Sequence, residues 1–249
     1  MRAGWLVLAL TAVAVLAASA SAEAPVDIGT PIVPTFHFGV APTKLSRTHP
    51  THVTMSESGQ YRTTDGSHVP ALRELELEGD RHLALDLKDV PVCRGRSGRD
   101  GRGGLEEQCR DALLGSGKLT AEIAFPESAL QWTSGKLHLY NGGRGEDGWR
   151  LLALATLTVP TPSELIVPIT IRKIDDGRFG WRASAAVPKI AGGSGSIYGY
   201  SLRISKRFLT ATCRGGRLQL RALSSFADGS LLSGRAIQTC TVAEPDVRQ

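Results

Sequence analysis

The chain has 249 residues, of which 41% are hydrophobic, 21% charged and 6% aromatic, with a formal net charge of +5. That apolar content is enough for a packed core and excludes a disordered or collagen-like chain. The four cysteines show no CxxC spacing and no histidine at ligand spacing, so no zinc site and no cofactor is expected.

At the N-terminus, Arg2 supplies a positive charge, Trp5 to Ala18 an apolar core, and Ala20-Ser21-Ala22 small residues at the positions a signal peptidase reads. Residues 1–22 are read as a cleaved secretory signal. The apolar core is shorter than the roughly 20 residues a bilayer span requires, so no stable membrane insertion is expected. The predicted location is secreted, outside the cytoplasm, where an even number of cysteines implies two disulfides. Four cysteines allow three pairings. The sequential one, Cys93–Cys109 with Cys213–Cys240, is expected because each pair brackets one local unit.

Residues 23–50 are rich in Pro and Thr and read as an extended lead-in, with Phe36–Val40 as an edge strand. From there period-two alternation recurs, as it does in half-buried strands. Val53 and Met55 alternate with Thr54 and Ser56. Leu75 and Leu77 alternate with Glu74, Glu76 and Glu78, and Leu83, Leu85 and Leu87 resume the apolar face after Gly79-Asp-Arg-His82. That stretch predicts a β-hairpin with one wet side. The Arg/Gly-rich Arg94–Gly104 follows as an insert. Leu105, Cys109 and Ala112/Leu113 then share one helical face, with Glu106 and Glu107 in the first turn and Gly115 as the stop, which predicts a short helix near 105–114.

Further strands are predicted at 136–140, 151–159, 165–174, 179–187, 197–204, 218–223 and 236–242. Asn141-Gly-Gly143, Asp175-Asp-Gly177 and Asp228-Gly229 punctuate them as turns. The predicted fold is all-β, a mainly antiparallel β-sandwich with that one helix, in a single domain over 51–243 followed by a flexible tail, 244–249.

Several segments invite a functional reading. Gly192-Gly-Ser-Gly-Ser196 resembles a phosphate cradle, but such glycines must open a helix, and here they lead into the strand-like Ile197–Ile204. It reads as a strand connection. The six histidines (His37, His49, His52, His68, His82, His138) show no helical zinc spacing and no matching nucleophile, and read as solvated or hydrogen-bonded side chains. Glu74, Glu76 and Glu78 read as a solvated strand face rather than a glycosidase pair, because the tryptophans are dispersed.

Charge is unevenly spread. Between Gly177 and Ala227 lie nine basic residues and no acidic one, whereas Asp65 to Val90 is strongly acidic. Either the acidic and basic strands lie side by side and pair, or the basic half forms a patch that attracts an anionic polymer. Arg203, Lys206 and Arg207 are the residues expected to make that contact. Nucleic acid is not an expected partner of an exported chain.

The segments VPVC, LYNGG, IRKIDDGRFG, VPKIAGGSGSIYGYSLRI and SSFADGSLLSG, with the four cysteines, resemble a group of secreted, uncharacterised four-cysteine β-rich proteins of high-GC bacteria. The resemblance runs from about His52 to Val242 and implies an exported, disulfide-containing β domain; it brings no catalytic residues. The functional expectation is a secreted, non-enzymatic β-sandwich module that binds an anionic polymer of the cell envelope through its basic half. The alternative is a secreted hydrolase whose site assembles from residues distant in sequence. Oligomeric state is not legible in these residues.

Overall fold

A computed structural model describes residues 32–94, 104–126, 129–158 and 163–243. The signal segment 1–22 and the tail 244–249 lie outside the described residues, as does most of the Arg/Gly-rich insert. In chain order the strands are β1 (Ile32–Ala41), β2 (Lys44–Leu45), β3 (Thr51–His52), β4 (Thr54–Thr63), β5 (Leu72–Asp80), β6 (Leu83–Leu85), β7 (Leu113–Ile123) and β8 (Gln131–Gly145). They continue with β9 (Gly148–Leu157), β10 (Ser163–Asp176), β11 (Phe179–Ala186), β12 (Gly195–Ile204), β13 (Leu209–Ala211), β14 (Arg217–Phe226), β15 (Leu231–Thr239) and β16 (Thr241–Val242). One helical turn, α1 (Leu105–Gln108), precedes β7.

The chain is all-β and mainly antiparallel, as expected; β2 and β16 form a short parallel pair. Eleven of the described strands form one sheet in the order β1-β4-β12-β7-β8-β9-β10-β11-β5-β14-β15. The sheet curls until it is nearly a barrel, so the facing layers of the expected sandwich are opposite walls of a single sheet. Alternation builds it: in β14, Leu218, Leu220, Ala222, Ser224 and Phe226 are buried inward while Arg217 and Arg221 turn out. The interior holds two apolar clusters. One, around Phe38, Met55, Leu151, Ile171, Ile204 and Leu220, fills one end. The other, around Ile32, Tyr61, Leu119, Leu157 and Phe226, fills the opposite end.

The two edge strands approach each other without hydrogen-bonded pairing among the described residues. Phe36 of β1 covers Gly234 of β15 so closely that a Cβ there would lie 2.2 Å from the ring. Tyr200 over Gly59 and Trp181 over Gly79 repeat the device within the sheet, where an aromatic fills the space a glycine leaves on a curved strand. A small sheet, β3-β13-β6, caps the first end, held to the strands beside it by Cys213–Cys240. Both disulfides have the expected sequential pairing, and none of the four cysteines is free.

Three expectations change. The edge strand expected at Phe36–Val40 forms but is longer, so the sheet begins at Ile32 and not at residue 51: the Pro/Thr-rich lead-in contributes the whole of β1, an edge position that tolerates Pro34. The hairpin predicted over Leu75–Leu87 does not form. β5 lies between β11 and β14, whereas β6 pairs with β13 in the cap. The helix near 105–114 contracts to α1 and a 3-10 turn at Arg110–Ala112, because Leu113 already enters β7. Around Cys93–Cys109, Leu105 and Ala112 cover Tyr140 and Leu154 on the outside of the sheet.

Candidate anion-binding face

Arg203 projects from the outer face of β12, and the register shows what surrounds it. One cross-strand row runs Ser56, Arg203, Ser116, His138 over β4, β12, β7 and β8. The next row runs His37, Ser58, Ser201, Lys118, Lys136 from β1 to β8. Period-two alternation places all nine side chains outward, because their neighbours Phe38, Met55, Leu139 and Ile204 occupy the core. At a strand spacing of about 4.8 Å, five strands give a polar surface about 19 Å across. Within it lies a depression of about 520 Å³ whose lining includes His37, Ser58, Lys118, Ser201 and Arg203.

Lys206 and Arg207 occupy the 3-10 turn just beyond the end of β12, so they extend the same face toward the cap. Ser205 Oγ accepts a 3.4 Å bond from the Arg207 backbone N–H, and the Arg207 guanidinium lies 5.7 Å from the centre of the Phe208 ring. The Lys206 carbonyl meets His52 Nδ1 at 3.1 Å. Among the described residues, none of Lys118, Lys136, Arg203, Lys206 and Arg207 forms an ion pair.

The rest of the basic run is committed elsewhere. Opposite one another across β10, β11, β5, β14 and β15 stand Arg172, Arg182, Glu78, Arg221 and Arg235. Glu78 is fully buried and accepts from Arg182 Nε at 2.9 Å and from Arg221. Burial alone would raise its carboxyl, but the hydrogen bonds from Arg221 and Arg182 outweigh burial and hold it below the usual carboxylate range. Asp80, also fully buried, takes Arg178 Nε at 2.7 Å. The acidic and basic segments therefore do lie side by side, and Glu78 is not the solvated residue its alternation suggests. Arg178, Arg182 and Arg221 are neutralised in the wall of the barrel, whereas the predicted Arg203, Lys206 and Arg207 are left exposed.

Beneath the candidate face, inside the barrel, Glu57 is 4% exposed and accepts a hydrogen bond from Tyr200. Burial pushes its carboxyl up to about 7, with the Tyr200 bond opposing. Tyr61 bonds Ser224 at 2.8 Å nearby. On the surface, His37 stands opposite Ser58 and Ser116 opposite His138, but no hydrogen bond joins either pair among the described residues, and an activated nucleophile needs one. Elsewhere, His49 Nδ1 meets the Thr48 hydroxyl, and His68 lies 2.9 Å from Glu122. The 191–196 glycine segment is a strand connection, closed by Gly195 N–H donating to Ile190 O at 3.0 Å.

Lys118, Lys136 and the serines were not singled out by sequence. Their signal is the alternation itself: Ser56/Ser58, Ser116/Lys118 and Ser201/Arg203 are each two residues apart. The two strands carrying Ser116 and Ser201 meet through long-range pairing, Ser116 with Arg203 87 positions further along the chain, which no local pattern reveals.

No family model and no curated protein matches the chain. Among solved structures, AvmM, which catalyzes macrocyclization in alchivemycin A biosynthesis, aligns over 88% of this chain and 93% of its own length, with 9% identity and a TM-score of 0.32. A likeness at that level carries no argument about what this chain does.

Proposed function

We propose that the chain is an exported, non-enzymatic β-barrel module that binds an anionic polymer of the cell envelope through the outer face of β1, β4, β12, β7 and β8. The observation that carries this reading is the pair of adjacent rows in which Arg203, Lys118 and Lys136 stand among serine hydroxyls without a carboxylate partner among the described residues. Unpaired cations attract a polyanion at long range, and hydroxyls supply short hydrogen bonds to phosphate, carboxylate or sugar oxygens. Lys206 and Arg207 lengthen the positive track.

Two disulfides fit an oxidising compartment and support export. The described residues contain no helix long and apolar enough to cross a membrane. The barrel is apolar inside and charged outside, the reverse of a lipid-facing barrel, which supports a module that works in water.

The test is co-sedimentation of the purified chain with isolated cell-wall material at low and high salt. Binding is expected at low salt, lost at high salt, strongly reduced in Lys118→Glu/Arg203→Glu, reduced in Lys118→Glu alone, but not in Lys88→Glu, the same single charge reversal outside this face. Absence of binding at both salts, or equal binding by the double variant, overturns the proposal.

A further inference from the structure

A second concave site lies at the capped end, where β6 leaves a gap against the β8–β9 and β10–β11 hairpins. Its volume is about 580 Å³, within the roughly 300–1,000 Å³ typical of small-molecule sites, which often occupy the mouths of β-barrels. Leu83, Ala84 and Leu85 form one wall; Ile171, Trp149 and Trp181 form the other. The register explains the aromatic pairing, since Trp149 stands opposite Ile171 and Trp181 opposite Lys173.

Both indoles are held in place before any ligand arrives. Trp181 Nε1 donates to Leu83 O at 2.9 Å, tying the cap to the wall, and its ring covers Gly79. The Arg144 guanidinium lies 4.7 Å from the centre of the Trp149 ring. Fixed aromatic planes bind a flat apolar body with little loss of side-chain freedom.

The rim is charged. Arg81, Arg144, Arg172 and Lys173 line it together with Glu146 and Asp147. Arg81 is engaged by Asp175 at 2.9 Å. Arg172 and Lys173 form no ion pair among the described residues, and both stand on β10, in the wall, whereas Glu146 and Asp147 form the tip of the β8–β9 turn. An anionic group would therefore meet the Lys173 ammonium while the ring system lies against the indoles.

We infer that this gap is a binding site for a small anionic amphiphile with a planar aromatic body, a carboxylate or sulfonate. It is separate from the polymer-binding face and does not depend on it. The test uses two fluorescent probes that share one aromatic body: anilinonaphthalene sulfonate and the uncharged phenylnaphthylamine. Each is titrated into the purified chain, with tryptophan quenching as a second readout.

The parent is expected to bind the sulfonate more tightly than the amine. Lys173→Glu is expected to weaken the sulfonate about tenfold, which is about 1.4 kcal/mol, and to leave the amine within about twofold. Glu146→Gln/Asp147→Asn should tighten the sulfonate, and Ala84→Trp, which fills the gap, should abolish both. Lys118→Glu/Arg203→Glu should change neither. Equal loss of both probes in Lys173→Glu, unchanged sulfonate affinity in that variant, or no binding by the parent overturns the inference. That comparison decides even where Ala84→Trp fails to fold.

Discussion

Glu57→Gln isolates the energetic consequence of a carboxyl buried in the barrel. In the folded chain Glu57 is pushed up to about 7 by burial, against an ordinary value of 4.5 that the unfolded chain regains. Between those two values the folded chain keeps a proton that the unfolded chain releases. Stability from this group is therefore fully present below about 4.5 and is lost as pH rises to about 7, above which the loss is constant. The gap between 4.5 and about 7 is worth about 3 kcal/mol at high pH, of which roughly 2.5 falls between about pH 5 and about pH 8.

Glutamine keeps an oxygen that accepts the Tyr200 hydroxyl but cannot ionise. Its extra amide N–H groups cost some stability, and that cost does not vary with pH. The assay is urea denaturation of parent and variant at about pH 5 and about pH 8, and the quantity read is the change in their stability difference. His82, whose ring is held below its usual value by burial, is common to both proteins and its contribution cancels. The variant is expected to gain on the parent by roughly 2–3 kcal/mol between the two conditions. A difference that stays constant, or moves the other way, would refute the assignment of a buried, destabilising carboxyl.

Two other perturbations probe the frame. Replacing Cys213 and Cys240 together by serine opens a closure of 27 residues and is expected to lower stability by about 3–4 kcal/mol, measured by denaturation, while the parent shows no thiol that reacts with a thiol reagent. Glu78→Ala strands the guanidinium groups of Arg182 and Arg221 over a buried site and is expected to cost about 3–5 kcal/mol. The exposed neighbour Glu74→Ala should stay within about 0.5 kcal/mol, so equal thermal melts for the two variants would dismiss the buried network.

Local patterns made most strands legible. Leu218, Leu220 and Ala222 alternate with charged or amide residues, and β14 lies where the alternation predicts. What local pattern cannot carry is which strands become neighbours. Gly79-Asp-Arg-His82 has turn chemistry and suggested a hairpin, yet β5 takes partners from β11 and β14, and Glu78 is buried by arginines 104 and 143 residues away. In β7, Gly115 reads as a helix stop. The structure uses it for close approach to β12, where a Cβ would lie 2.5 Å from Arg203 O. The candidate site divides the same way: Arg203, Lys206 and Arg207 stand out as a local cluster, whereas Lys118 and Lys136 join them only through the long-range register of β7.

The seam between β1 and β15 also sets an order of events. Phe36 enters the sheet near the start of the chain, and the glycine it must cover, Gly234, lies near the end. A chain delivered N-terminus first can pair β1 with β4 early, but it holds Phe36 over an open gap until Leu231–Thr239 has followed. Any truncation before that strand leaves the Phe36 face and the outer edge of β14 uncovered together, one an apolar surface and the other a row of free backbone groups. Shortened products of this chain therefore carry the two features that drive strands of different molecules to associate.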